Sequence, residues 1–139
     1  MPKLARVQRI ALPILRDSLA DYGRPIKVGT WNEDIDYRDL PMINVRHLGG
    51  TRHGKRPTEF AKPVIEMTVF DHIDLPTTED LYDDALEALY EAVRKQTQTP
   101  YGYLHSIKET MGATEFGSPF QDSWRVQGLI QLGIRPPRA

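Results

Sequence analysis

The order of amphipathic segments predicts an α+β domain, a mostly antiparallel β-sheet with two α-helices packed on one face. Three observations carry this. Two segments repeat apolar residues at helical spacing, five short runs favour extended chain, and most strand-to-strand connections are short enough for antiparallel pairing. The order is α-β-β-β-α-β-β. At 139 residues the chain has the length of one domain, residues 1–139, able to bury a core without a disulfide or metal staple.

The first helix is expected over residues 4–22. Leu4, Val7, Ile10, Ala11, Ile14, Leu15, Leu19 and Tyr22 form its stripe, with Arg6, Arg9, Arg16 and Asp17 off it. Pro13 falls inside and predicts a kink or a restart. Gly23 is expected as the residue just past the end. The basic start before IALPIL does not make a signal peptide, because Arg16 and Asp17 follow and no small-residue cleavage site appears. The segment reads as an amphipathic helix of a soluble intracellular protein, and no apolar run is long enough to span a membrane.

The first strand is expected at 26–31, followed by an acidic turn over 32–40 with Glu33, Asp34, Asp36 and Asp39. The second is expected at 41–48, with Ile43 and Val45 on one face and Asn44 and Arg46 on the other. The third covers 64–73, with Ile65, Met67, Val69 and Ile73 on one face. Pro76-Thr77-Thr78-Glu79-Asp80 then signals a helix start with a threonine N-cap. Leu81, Ala85, Leu89 and Val93 form its buried row, and Arg94 and Lys95 close it against the negative end of the helix dipole. Asp80, Asp83, Asp84, Glu87 and Glu91 make its outer face acidic, a solvated face or a docking surface for a basic partner. The fourth strand is expected at 103–111, then a turn-rich connection over 112–123. The fifth covers 124–134, with Trp124, Val126, Ile130 and Leu132 on the core face and Arg125, Gln127 and Gln131 outside. Gly128 lies on that core face, where it leaves room for a close neighbour or marks a bulge. Residues 135–139, Arg-Pro-Pro-Arg-Ala, form a short proline-rich tail that cannot continue a sheet interior.

No catalytic, cofactor or metal site emerges. The chain has no cysteine, which removes thiolate nucleophiles and iron–sulfur ligation. Residues 49–56, GGTRHGKR, approach the phosphate-loop pattern. However, Arg56 stands where a Ser or Thr must reach magnesium, and Pro57 and a strand follow where a helix must begin. His47, His53, His72 and His105 show no metal-ligand spacing. No nucleophile elbow surrounds any serine.

The long segment after the second strand is more informative. Over 49–62 it is expected as an extended basic loop carrying Arg52, His53, Lys55, Arg56 and Lys62, with Glu59 as the only acid. Loops of this length in a compact domain are usually either functional or disordered. A formal net charge of −1 argues against a general nucleic-acid binder.

The sequence resembles the tail terminator (tail completion) proteins of long-tailed bacteriophages, especially those of actinobacterial siphophages. The residues that carry the likeness are Leu40–Gly50, Val64–Phe70, the helix Thr78–Val93 and the closing strand Trp124–Ile134. The resemblance implies a non-enzymatic virion protein that needs no cofactor. It implies a homo-hexameric ring at the head-proximal end of the tail, assembled in the host cytoplasm. Its implied partners are the tail tube protein and the head–tail connector or neck protein, with genomic DNA passing through the channel without sequence-specific binding. Within such a ring, the basic residues Arg52, His53, Lys55, Arg56 and Lys62 and the acidic Glu33, Asp34, Asp36 and Asp39 are expected at subunit or tube interfaces. Two other classes compete: another neck or head–tail joining protein, and a nucleic-acid-binding module using the basic loop. A metal-dependent hydrolase or nuclease is a further alternative.

Overall fold

The computed structural model describes residues 3–30, 40–118 and 122–138. Its elements follow the expected order: α1 (Val7–Ser18), β1 (Lys27–Gly29), β2 (Met42–Arg52), β3 (Ala61–Asp71), α2 (Leu75–Lys95), β4 (Tyr103–Phe116) and β5 (Trp124–Arg135). The five strands form one sheet in the order β1-β2-β3-β5-β4. β1 runs parallel to β2, and every other neighbouring pair is antiparallel.

Both helices lie on one face. Val7, Ile10, Ala11, Ile14 and Leu15 of α1 meet Leu81, Tyr82, Ala85 and Leu89 of α2 over Ile43, Val45, Ile65, Met67, Val126 and Ile130 of the sheet. Each such fully buried aliphatic chain contributes roughly 2 kcal/mol relative to exposure. α1 passes through Pro13 without a break. It is shorter than its stripe: Leu4 precedes it and Tyr22 lies in the turn after it, yet both pack on the core. Its C-cap is Leu19, so Gly23, at φ +93°, serves the following turn rather than the helix end. α2 begins before the threonines. The Asp74 carboxylate accepts the Thr77 amide at 2.7 Å, and the Thr78 hydroxyl donates to the Asp74 carbonyl at 2.8 Å. Pro76 occupies the first turn, where its missing N–H costs nothing. Gln96, at φ 48°, ends the helix in the left-handed region.

The largest departures lie in the hairpins. β2 continues through both glycines to Arg52, and β3 starts at Ala61, so most of the expected loop at 49–62 is a β-hairpin arm with a turn at 53–60. The ladder steps from His47↔Ile65 to Gly50↔Pro63, which inserts one extra residue in β2. Gly49 and Gly50 have φ of +77° and +94°. A Cβ on Gly50 would lie 2.4 Å from the Lys62 carbonyl oxygen. β4 likewise runs on to Phe116, leaving only residues 117–123 between it and β5. Three register shifts interrupt the β4–β5 ladder, between Leu104 and Ser106, Glu109 and Met111, and Met111 and Thr114.

Gly128 has the close neighbour its position implied: a Cβ there would fall 1.9 Å from Tyr82 Oη. Trp124 departs from its expected place in the core: it is the first residue of β5, opposite Asp71 at the end of β3, and is 40% exposed. On the face away from the helices, Asn44, Thr68 and Gln127 pair in register across β2, β3 and β5 and are all buried. Thr68 Oγ1 donates to Gln127 Oε1 at 3.1 Å. At the other end, Asp71 has a fully buried side chain and accepts two hydrogen bonds from the Arg24 guanidinium, one at 3.1 Å. Burial alone would raise its pKa, but Arg24 and the His72 amide outweigh that and hold the carboxyl below its usual range.

Candidate assembly surface

The antiparallel ladder decides which charged residues share an end of the molecule. β2 runs toward its tip and β3 returns, while β5 runs the same way as β2. Ala61 therefore pairs with both Arg52 and Ile134, and Arg135 emerges beside the arm. β4 starts at that same end, with Tyr103 opposite Arg135.

The turn at the tip is built by His53. Its amide donates to the Phe60 carbonyl at 3.0 Å, and its Nδ1 accepts the amides of Lys55 and Arg56 at 3.2 and 3.1 Å. Ring and backbone together hold Lys55 and Arg56 outward. Arg52, His53, Lys55, Arg56 and Lys62 are all exposed. Glu59 answers only Arg56, at 3.5 Å. Phe60 sits in the middle of this charge. Arg135 lies 5.3 Å and Lys62 5.9 Å from its centroid, with His53 and His105 edge-on. The aromatic face offers each cation a favourable quadrupole. His105 is held below its usual pKa by burial first and then by Arg135, Arg138 and Lys62.

The proline-rich tail adds to this end instead of hanging free. The Arg138 amide donates to Gln98 Oε1 at 3.1 Å, its guanidinium bonds Gln96 Oε1, and it stacks over Tyr103 at 5.0 Å. At the opposite edge of the arm, Arg6 donates to His47 Nδ1 at 3.3 Å, and His47 Nε2 donates to the Gly49 carbonyl at 2.7 Å. This fixes the bulge from which the tip projects.

The five basic residues singled out in the sequence are thus brought to one end. Glu33, Asp34, Asp36 and Asp39 lie outside the described residues. Reasoning from sequence missed Phe60 as the organiser of the cluster, and missed His105, Arg135 and Arg138. The signal was present in part: the Arg-Pro-Pro-Arg run follows the last strand, and its placement needs only the direction of β5.

A second charged surface lies on α2. Asp80, Asp83, Asp84 and Glu87 are exposed, and Glu109 of the neighbouring β4 joins them. Among the described residues their direct hydrogen bonds come from neutral hydroxyls: Tyr22 donates to Asp84 at 2.5 Å and Tyr90 to Glu109 at 3.1 Å. Burial and then the bond to Asp84 push the Tyr22 pKa up to about 12. Asp83 is pushed up by burial, then by Asp80, Asp84 and Glu109. Among the described residues of this face, Glu91, near the C-terminus of α2, is the one paired with cations, Arg94 and Lys95. Among the described residues no group of three His, Asp or Glu is placed to hold a metal ion. No helix there is long and apolar enough to cross a membrane.

Comparison with known proteins supplies the context. The profile of a family described as phage tail termination protein matches residues 3–139. The gene 22 protein of Mycobacterium phage L5 is 54% identical over 138 residues, spanning 99% of this chain and 98% of that one. The gene 22 protein of Mycobacterium phage D29 is 50% identical over 139 residues, spanning 100% and 99%. A chain from the virion of a native gene transfer agent particle has the same fold, with a TM-score of 0.58 at 14% identity over 93% of this chain and 94% of that one.

Proposed function

Because the chain belongs to the phage tail termination protein family, we propose that it caps the head-proximal end of the tail tube as a homo-hexameric ring. There it stops addition of tube subunits and presents a surface to the head–neck connector, while genomic DNA passes through the central channel. It is a structural protein of the phage tail in this reading, and it works by contact rather than by chemistry. The observation that carries the proposal is the family match over nearly the whole chain. A virion protein with the same fold supports its setting.

The molecule is built suitably for such a task. A ring of identical copies needs two unlike surfaces that fit each other. The arm tip, with Arg52, His53, Lys55, Arg56 and Lys62, serves in the proposal as one subunit or tube interface.

The test is tube growth in the presence of the purified chain. Tail tube subunits polymerising with it are expected to stop elongating, with a ring visible at one end by electron microscopy. Equal length distributions with and without the chain, and bare tube ends, sink the proposal.

A further inference from the structure

We propose that the basic arm tip of one copy docks on the acidic outer face of α2 in a second copy, a head-to-tail contact between unlike surfaces. The inference rests on the ring reading only in that it needs copies to meet.

Geometry rules out the contact within one copy. Tyr82 of α2 lies against Gly128, and Gly128 pairs with Met67 in β3. The arm's turn lies beyond Ala61, which is itself six residues farther along β3, about 20 Å at the rise of an extended strand. The acidic residues beside Tyr82 and the tip cations are therefore separated along the sheet.

Each surface is electrically incomplete. Asp80, Asp83, Asp84 and Glu87 have no ion-pair partner among the described residues, and burial first, then its acidic neighbours, push the Asp83 pKa up. Among the described residues, Arg52, Lys55 and Lys62 at the tip have one acid near them, Glu59, already engaged with Arg56. Burial first, and then the surrounding cations, hold His105 below its usual pKa. Apposing the two surfaces relieves like-charge crowding on both sides at once. A second copy fits better than a nucleic acid. Phe60 already has Lys62 and Arg135 against its ring, and the chain itself supplies the acidic counterpart.

The absence of cysteine makes the test direct. Two full-length variants, R56C and D83C, are mixed in the presence of tail tubes and oxidised. A disulfide-linked heterodimer is expected from the mixture, and none from either variant alone. Adding K55E and R52E to the R56C copy is expected to cut that yield roughly tenfold, as loss of one or two charge contacts should. Adding D80K and E87K to the D83C copy then restores it. Far-UV circular dichroism confirms that each variant is folded. A dominant R56C–R56C link, or no link in the mixture, overturns the inference. So does loss of duplex-DNA binding on tip reversal with unchanged link yield. Rings that cap tubes without this cross-link overturn the contact alone. The cross-link without capping overturns the function reading alone.

Discussion

Single side chains set the tolerance of this fold. Asp71 is the clearest case: its buried carboxylate is clamped by Arg24 and by the His72 amide. Removing its charge leaves Arg24 without its partner, and Asp71→Asn is expected to cost about 3 kcal/mol, measured by urea unfolding at pH 7. The folded pKa of Asp71 is depressed. Its contribution is therefore fully present above the unfolded value near ~3.9 and is lost as pH falls through the lower folded value. The urea midpoints of the native and Asp71→Asn chains should stay apart from pH 7 to 5 and draw together below that unfolded value. Gly128 poses a steric problem instead. Gly128→Ala drives a methyl into Tyr82 Oη and toward the Met111 carbonyl, 2.9 Å away, and should cost about 2 kcal/mol. Tyr82 Oη is buried without a hydrogen-bond partner among the described residues. Tyr82→Phe alone should then be close to neutral, and Tyr82→Phe with Gly128→Ala should recover part of the loss. Gly128 was legible in the sequence because a glycine interrupts an otherwise apolar face. The clamp on Asp71 was not, since Arg24 lies 47 positions away and local pattern carries no information about such pairs.

At the level of elements, apolar periodicity located both helices and all five strands, because each buries one face against the same core. Boundaries failed where one residue type has two structural uses. Gly49-Gly50 reads as the start of a loop, but a one-residue bulge lets the ladder resume beyond it. Gly112 likewise reads as a strand end, while β4 continues past it. The threonine cap was displaced because Asp74 sits one residue before the helix and its carboxylate accepts the Thr77 amide, which leaves both threonines inside the first turn. The bulge can be tested. Gly50→Ala places a methyl against the Lys62 carbonyl in a backbone region that alanine resists. Amide hydrogen exchange should speed up by roughly tenfold or more across residues 51–62, consistent with a local cost of 1–3 kcal/mol. Protection within α2 should be unchanged. Equal protection of the arm in both proteins refutes the idea that the bulge holds it.

The whole molecule is polarised along its strands. Its basic end gathers residues from the arm, β4 and the C-terminal tail, while its acidic surface lies along the first half of α2. Net charge hides this, since the total is only −1. The sequence displayed the charges but not their separation, because the arrangement depends on strand direction. If copies associate through these surfaces, cross-link yield between R56C and D83C should fall steeply as salt rises from about 0.1 to 1 M, where the screening length shrinks from ~10 to ~3 Å. The monomer's urea midpoint should change far less. The outer strand adds a different constraint. β4 is long and lies at the sheet edge, an arrangement that in many proteins recruits foreign strands and propagates fibres. Its three register shifts break the unpaired ladder into pieces too short to template another chain. A protein proposed to end a polymer is thereby kept from seeding one of its own.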